Sequence, residues 1–482
     1  MSYEINRTRI ISSLIWKLLE RGGTQGIQFV VQIILARLLL PEEFGIIVLV
    51  VVFIAVANVL VQSGFNTALI QKKEVDEIDY SSVFYFNVLI SVILYGILFV
   101  SAPKIAIFFN EPILDSVLRV LGITLFINIF VSMQNVMISR NLQFKKLFIS
   151  SLGAVIMSAI VGISMAIAGY GVWALVGQQI MNQLMVMFIL FVTVKWRPKL
   201  HFSMTRLKKL YSFGWKLLIA SLIDVMYINS RNLIIGKIFS SASLGIYNRG
   251  EQFPQLIISN INGSIQSVML PAFSAFQDDR KRVKEMMRRA IVTSSFFIFP
   301  MMVGLAVIAE PLVRLLLTEK WLLAVPFIQI FSFSYMLYPI HTVNLQALNA
   351  IGRSDLFLKL EIIKKSIGVI ILVISIQFGI YAMAWGMLIG AVISSFINAS
   401  PNTKQLNYGY IEQLKDILPS FTVAMFMGSI IYSLKWLDLP ENIILGLQII
   451  IGVFVYIILA KLFKLESYSY LLGIIKSRLK KI

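Results

Sequence analysis

Lys216, Asp224 and Arg231 lie inside FGWKLLIASLIDVMYINSRNLIIGK, residues 213–237 of a 482-residue chain. The stretch is otherwise apolar and long enough to cross a bilayer. At the helical step of 100° per residue, Asp224 stands about 80° round from Lys216 and Arg231 about 60°, so the three charges share one face. Facing lipid, such groups cost several kcal/mol, and they turn instead toward a bundle interior or a wet cavity. Cations there suit an anionic ligand, and the planar fork of arginine suits phosphate in particular. Asp224 has two readings: a structural ion pair, or a proton or Na⁺ coupling site.

Other polar side chains recur at helical spacing. Arg21, Gln25, Gln28 and Gln32 fall within about 60° of one another, with Glu20 and Thr24 on the flank. Asn128, Ser132, Asn135 and Ser139 form a comparable stripe, as do Glu251, Gln255, Ser259, Asn262 and Gln266. One reading is interhelical hydrogen bonding, worth about 0.6 kcal/mol per contact. The other is the wall of a substrate cavity, to which Arg21, Gln25, Gln28, Gln32, Asn128, Asn135, Lys216, Arg231, Asn262 and Gln266 would contribute. Glu361 and His341 join Asp224 as ion-coupling candidates. Glu361 precedes Lys365 by four residues in KLEIIKK, the favourable order for a helical ion pair, so a structural role competes there. For His341 the competing role is a hydrogen-bonded core residue.

The elements that would position these residues follow from composition. The chain is 58% hydrophobic and 14% charged, with a mean hydropathy of +0.83. Soluble domains average roughly 25% charged residues. Here apolar residues come in blocks of about 20, the length that crosses a hydrocarbon core of roughly 30 Å. A membrane barrel would show short segments of alternating polarity instead. The expected class is therefore an all-α, multi-pass integral membrane protein. There is no cysteine, so disulfides are excluded. The N-terminus runs into a span with no small-residue cleavage site, which predicts a retained first helix.

Fourteen spans are predicted, at about 10–38, 44–64, 82–102, 114–137, 148–168, 172–194, 212–238, 250–275, 289–309, 323–348, 356–376, 380–400, 418–436 and 442–463. Most of the 43 basic residues sort to alternate ends, among them RTR at 7–9, KK at 72–73, the KWRPKL…RLKK connector at 195–209, DDRKRVKEMMRR at 278–289 and the tail KSRLKK at 476–481. That asymmetry predicts that both termini are cytoplasmic and that PEEFG at 41–45 faces outward. It also accounts for the net charge of +19 without nucleic acid.

The sequence repeats weakly. WKLL at 16–19 returns at 215–218, FGII at 44–47 is echoed by LGIY at 244–247, and GVWAL at 171–175 by GIYAM at 379–383. The offsets of 199, 200 and 208 keep their order, so the unit is about 200 residues and six spans. An even number of crossings returns the second copy in the same orientation, as in two-lobed transporters with a site between the lobes near mid-depth. The expected organisation is an N-terminal six-helix lobe at 1–197, a cytoplasmic linker at 198–211, a second lobe at 212–400, and two further helices with a basic tail at 401–482. Chemistry motifs are missing. There is no P-loop, and two histidines without cysteine make a His/Cys metal site unexpected. No cofactor is expected, and the reading is a transporter rather than an enzyme.

ARLLLPEEFG at 36–45, QSGFNTALIQKK at 62–73, SRNLQFKKL at 139–147, YNRGEQFPQLI at 247–257, LPAFSAFQDD at 270–279 and above all QALNAIGRSD at 346–355 carry a resemblance. From about residue 5 to 400 the chain resembles the Wzx-type polysaccharide flippases of the multidrug/oligosaccharidyl-lipid/polysaccharide (MOP) exporter superfamily, in the branch of colanic-acid and teichuronic-acid exporters. The resemblance implies a V-shaped, MATE-like bundle of two six-helix lobes plus two C-terminal helices in the bacterial cytoplasmic (inner) membrane. It implies translocation, by alternating access, of undecaprenyl-diphosphate-linked oligosaccharide repeat units for O-antigen, capsule, exopolysaccharide or teichuronic acid synthesis. Some relatives are driven by cation antiport through an acidic residue in the seventh span, which Asp224 would match, so coupling to H⁺ or Na⁺ is an expectation. Membrane lipids, a polysaccharide polymerase and glycosyltransferases are the expected partners. A peptidoglycan-precursor flippase, a MATE-like drug or cation antiporter and a non-transport scaffold for glycan synthesis remain as alternatives.

Overall fold

The structure, a computed structural model, describes residues 7–479, and every element among them is helical. Long apolar segments leave the backbone no partner but itself in a bilayer, and the α-helix satisfies it within one segment. The first elements are α1 (Arg7–Leu38), α2 (Pro41–Gln62), α3 (Phe65–Gln71), α4 (Glu77–Phe109), α5 (Ile113–Gly122), α6 (Thr124–Asn141), α7 (Phe144–Ile167), α8 (Val172–Thr193) and α9 (Met204–Ile238). They continue with α10 (Ser241–Ser274), α11 (Arg280–Leu316), α12 (Val325–Met336), α13 (Tyr338–Ala350), α14 (Ser354–Ile376), α15 (Ile380–Leu406), α16 (Tyr410–Ser433), α17 (Glu441–Leu462) and α18 (Glu466–Leu479).

Eleven stretches among the described residues are helical, long and apolar enough to cross a membrane. Fourteen were expected. The first, eighth and eleventh expected spans correspond to α1, α10 and α14, which do not reach that standard. Two of these helices carry polar stripes, and α14 carries Lys359, Glu361, Lys364 and Lys365. Large side chains such as Val100, Ile107 and Phe454 stay exposed, an apolar surface far beyond what a water-soluble monomer shows.

The chain divides into two compact units at Gly245/Ile246. The first runs past the expected linker at 198–211 and includes all of α9. Its core joins α2, α3, α4, α6 and the start of α9: Val61, Phe65, Leu69, Val83, Phe84, Ile129 and Met133 are buried together with Leu207 and Leu210. Ser63 and Gly64 break α2 from α3 in left-handed backbone (φ 44° and 72°). Glycine is required at 64, because a methyl group there would lie 2.2 Å from the Gly214 carbonyl oxygen of α9.

Asp76 caps α4 and accepts from the Asp79 amide at 3.0 Å, while the Asp79 carboxylate accepts from the Asp76 amide at 3.2 Å. Asp79 also pairs with Lys72 at 2.5 Å, and Asp76 with Arg206 of α9. The Arg206 guanidinium holds the Asp76 carboxyl below its ordinary value. Arg140 of α6 donates to the carbonyls of Leu69, Ile70, Lys72 and Lys73, satisfying the C-terminal end of α3. Two of the sequence segments that carried the family resemblance thus meet through this side chain.

In the second unit α11 is the central helix. At one end Lys284 pairs with Glu412 at 2.9 Å, and Arg288 pairs with Asp416 at 2.9 Å and with both carboxylate oxygens of Glu466. At the other end Glu310 pairs with Lys435 at 3.2 Å, and Arg314 reaches Glu310, Glu319 and Glu441. From Arg288 to Glu310 is about 33 Å of helix, close to the thickness of a hydrocarbon core. Helices α16, α17 and α18 are fastened to α11 by these end clusters. The buried Tyr456 hydroxyl adds a bond to the Phe296 carbonyl.

Two turns of the chain share their backbone detail. Between α6 and α7, Leu142 has φ 55° and Gln143 has φ −95°, ψ 45°. Between α13 and α14, Gly352 has φ 76° and Arg353 has φ −94°, ψ 54°. The closing bonds also match: Gln143 to the Ile138 carbonyl at 3.0 Å, Arg353 to the Leu348 carbonyl at 2.9 Å. The two sharp turns stand 210 residues apart.

Candidate functional site

In the first unit the charged stripe sits on α9. Buried residues of this helix are confined to Leu207, Leu210 and Gly214 near its start and Ile235 and Gly236 near its end. From 215 to 234 none is buried. Lys216 and Asp224 are exposed within the chain, and Arg231 is half-buried. The fully buried points of the helix therefore stand about 31 Å apart, and the charged stretch between them has none. A helix packed in a core would bury such a stretch, and one that only faced lipid would carry no charge there.

Gln25, Gln28 and Gln32 of α1 are half-buried. Gln32 donates to Gln178 of α8 at 3.5 Å, while the Gln25 side-chain oxygen is enclosed without a hydrogen-bond partner. Thr24 bonds to the Glu20 carbonyl. Arg21 lies in α1, but its side chain is outside the described residues. Asn128 of α6 donates to Asn58 of α2 at 3.3 Å, so part of that stripe links helices. Asn135 is half-buried, with its side-chain oxygen enclosed and unpartnered. Such enclosed oxygens cost about 1–3 kcal/mol each unless water or a ligand reaches them.

In the second unit the stripe of α10 divides. Gln255, Ser259 and Gln266 are exposed, and Asn262 is half-buried and accepts from Thr342 of α13. Glu251 accepts from the Tyr335 hydroxyl at 2.7 Å. His341 is half-buried with Nδ1 3.2 Å from the Asn398 amide nitrogen, the hydrogen-bonded arrangement that competed with a relay. Glu361 is paired, its carboxylate 2.5 Å from Lys364. Rotamers of a lysine three residues on reach the same carboxylate, so spacing alone does not select the partner.

Two polar groups of the second unit escaped the sequence reading. Asn344 of α13, Asn402 of α15 and Gln413 of α16 are fully buried and bonded to one another, Asn402 to Asn344 at 2.7 Å and Asn344 to Gln413 at 2.7 Å. Arg249 of α10 is 4% exposed, donates to Gln252 at 2.6 Å and lies 5.1 Å from the buried Trp321 ring. The segment YNRGEQFPQLI contains Arg249, but nothing in its spacing marks that residue as interior. Among the described residues no three acidic or histidine side chains gather as a metal site would require.

A many-helixed bundle with polar stripes on its least apolar helices defines a membrane protein of the transporter type. Its solved neighbours agree on the fold. The lipid II flippase MurJ in an inward closed conformation superposes with a TM-score of 0.75 at 18% identity, over 93% of this chain and 98% of that one. An inward-facing multidrug resistance MATE transporter of the MOP superfamily gives 0.60 at 16% identity, over 83% and 96%. The chain belongs to the polysaccharide biosynthesis protein family, whose model matches residues 34–326. It is 25% identical to the lipopolysaccharide biosynthesis protein WzxC of Escherichia coli (strain K12), over 81% of this chain and 80% of the relative. It is 24% identical to the teichuronic acid biosynthesis protein TuaB of Bacillus subtilis (strain 168), over 84% and 85%.

Proposed function

We propose that the chain is a flippase for lipid-linked oligosaccharides, moving a polyprenyl-diphosphate-linked repeat unit across the bacterial cytoplasmic membrane by alternating access. The observation that carries this reading is the middle of α9, which has no fully buried residue and holds Lys216 and Arg231 in the helix of a polysaccharide biosynthesis family member. A diphosphate crossing a bilayer needs cations at depth, and a guanidinium can hold it by two parallel hydrogen bonds. The prenyl chain can stay in lipid while the sugars follow the Gln25, Gln28 and Gln32 face of α1.

The same reading includes fourteen spans, with α1, α10 and α14 crossing despite their polarity, arranged as two six-helix lobes plus α16 and α17. It includes both termini in the cytoplasm, exchange with a polysaccharide polymerase and glycosyltransferases, and no chemical step of its own. Asp224 is the coupling residue for a proton or Na⁺ within it. A second reading, a peptidoglycan-precursor flippase, is favoured by one observation, the likeness of fold to the lipid II flippase. A drug-exporting antiporter fits less well, because Lys216 and Arg231 would repel the cations such exporters prefer.

The deciding experiment reconstitutes the protein in vesicles and follows, leaflet by leaflet, an undecaprenyl-diphosphate oligosaccharide and lipid II side by side, with and without an imposed ion gradient. Transport of the oligosaccharide but not lipid II supports the first reading. The opposite preference replaces it with the second, and movement of neither removes both.

A further inference from the structure

Helix α17 ends in a built stop. Lys464 takes left-handed backbone (φ 50°), its amide bonds to the Lys461 carbonyl at 3.2 Å, and the Leu465 amide bonds back to the Ala460 carbonyl at 2.9 Å. This is the Schellman pattern, and the two residues that its usual apolar contact would join, Ala460 and Leu465, are both buried. The next helix, α18, is thus a separate element rather than a continuation of the span. Its first turn is held. Both carboxylate oxygens of Glu466 accept from Arg288 of α11, Ser467 is buried, and Arg289 stands 4.8 Å from the Tyr470 ring centre. Arg288 belongs to an end cluster of α11, so α18 starts at the level where that helix meets water.

Beyond that turn the sequence of α18 is amphipathic. At 100° per residue, Tyr468, Leu471, Leu472, Ile475 and Leu479 fall within about 100° of one another. Arg478 follows about 20° past one edge of that arc and Lys476 about 40° past the other, while Ser469, Gly473 and Ser477 take the far side. At 14 residues the helix is too short to cross a bilayer. From 461 to 481 the chain holds six basic residues and one acid, Glu466, which Arg288 already neutralises. An apolar arc with basic residues at its margins is the pattern of a helix lying in the plane of a membrane surface, where lysine and arginine stems reach out to the headgroups. Tyr470 is exposed and Tyr468 half-buried, and tyrosine favours that same level.

We propose that α18 lies on the cytoplasmic leaflet and docks anionic phospholipid headgroups, with Lys476 and Arg478, and Lys480 and Lys481 just beyond them in sequence, as the recognising groups. The side of the membrane rests on the topology proposed above. Charge complementarity selects the occupant. An uncharged bilayer surface would accept the apolar arc but leave the basic excess without a counter-charge. A second copy of the same face would bring like charges together. An anionic leaflet answers both the arc and its basic margins, and it is continuous with the bilayer that surrounds α17. The contact has a consequence for the bundle: a surface-anchored α18 sets the depth of α17 through the Lys464 turn, and that of α11 through the Glu466–Arg288 pair.

The test uses the full chain, which is free of cysteine. Ile475→Cys and Ser477→Cys put a bimane fluorophore at the centre of the arc and about 160° away from it. In vesicles of phosphatidylcholine with phosphatidylglycerol, a phospholipid carrying a nitroxide on its acyl chain should quench the label at 475 several-fold more than the label at 477. That difference should shrink several-fold in phosphatidylcholine alone. It should shrink likewise when Lys476→Gln, Arg478→Gln, Lys480→Gln and Lys481→Gln are combined, with melting temperature in detergent unchanged. Equal quenching at the two positions would place α18 against protein, and a difference indifferent to phosphatidylglycerol and to charge removal would make the contact purely apolar; either overturns the proposal. So would a response to added undecaprenyl diphosphate with none to phosphatidylglycerol, which would assign the helix to the transported lipid instead. Quenching needs no transport. A protein that moves no lipid-linked oligosaccharide, but shows the phosphatidylglycerol-dependent difference, would sink the flippase reading and leave this one standing.

Discussion

Helices α9 and α11 have nearly the same length, 35 and 37 residues, and both carry several charges, yet the fold treats them in opposite ways. In the most apolar window of α11, 61% of residues are buried; in that of α9, 6% are. The charges of α11 stand at its two ends, Lys284 and Arg288 at one, Glu310 and Arg314 at the other, each in an ion pair with a residue outside the helix. Those of α9 include Lys216, Asp224 and Arg231 along a middle in which no residue is fully buried. Charges at the ends of a span fasten helices at the level where water is available. Charges in the middle of a span stand where lipid or a wet cavity would surround them, and a function must account for them.

The sharpest way to break that contrast is to remove one charge from each helix. Arg231→Ala should lower transport of lipid-linked oligosaccharide at least tenfold, while its melting temperature in detergent stays within a few degrees of wild type. Arg231→Lys should restore part of the rate, because the charge remains and the two-pronged hydrogen bonding is lost. A variant that melts much earlier, or that transports normally, would make the middle of α9 as structural as the ends of α11.

What was legible in the sequence follows the same division. Span lengths and the stripes of α1, α9 and α10 depend on residues near in sequence, and periodicity exposes them. The echo of FGII at 44–47 in LGIY at 244–247 was legible because it is local, and at its glycines an added methyl group would meet the Ser241 and Pro41 carbonyl oxygens. The seating of α9 on the first unit was not, since the contacts of Leu207, Leu210 and Gly214 with α3 and α4 are set by tertiary packing that a linear pattern does not encode. The Asn344–Asn402–Gln413 cluster was invisible for the same reason: its members are 58 and 69 residues apart, and each alone looks like an ordinary polar residue near a helix end. Glu361 was legible as a paired residue, because a lysine three or four residues on reaches its carboxylate, as Lys364 does.

A smaller effect is expected at Asp224, and it concerns coupling rather than rate. Asp224→Asn keeps the shape and the hydrogen-bonding capacity of the side chain but cannot alternate between charged and cation-bound forms. Vesicles holding this variant should transport at a rate indifferent to an imposed proton or Na⁺ gradient, whereas wild-type vesicles should respond to one of the two. If wild type ignores both gradients, Asp224 belongs with the pairs of α11 as a structural charge.

Smaller still, and confined to α11, is the consequence of removing Arg288. Its guanidinium bonds Asp416 and both oxygens of Glu466, so Arg288→Ala should destabilise the second unit by about 1–2 kcal/mol, a range set by the partial exposure of the pairs. Melting temperature should fall by a few degrees, and transport per folded molecule should stay close to wild type. The pH dependence gives the pair its own signature. Bonds from Arg288 hold the Glu466 carboxyl below its ordinary value of 4.5. A group depressed in the folded state contributes stability that is complete above the unfolded value and is lost as pH falls through the folded one. Wild-type protein should therefore lose part of its melting temperature as pH drops below about 4.5, and the Arg288→Ala variant should lose less over the same interval. Equal slopes in the two proteins would show that Glu466 gains nothing from Arg288. The end clusters of α11 would then be crowding rather than fastening, and the contrast with α9 would have to rest on apolar burial alone.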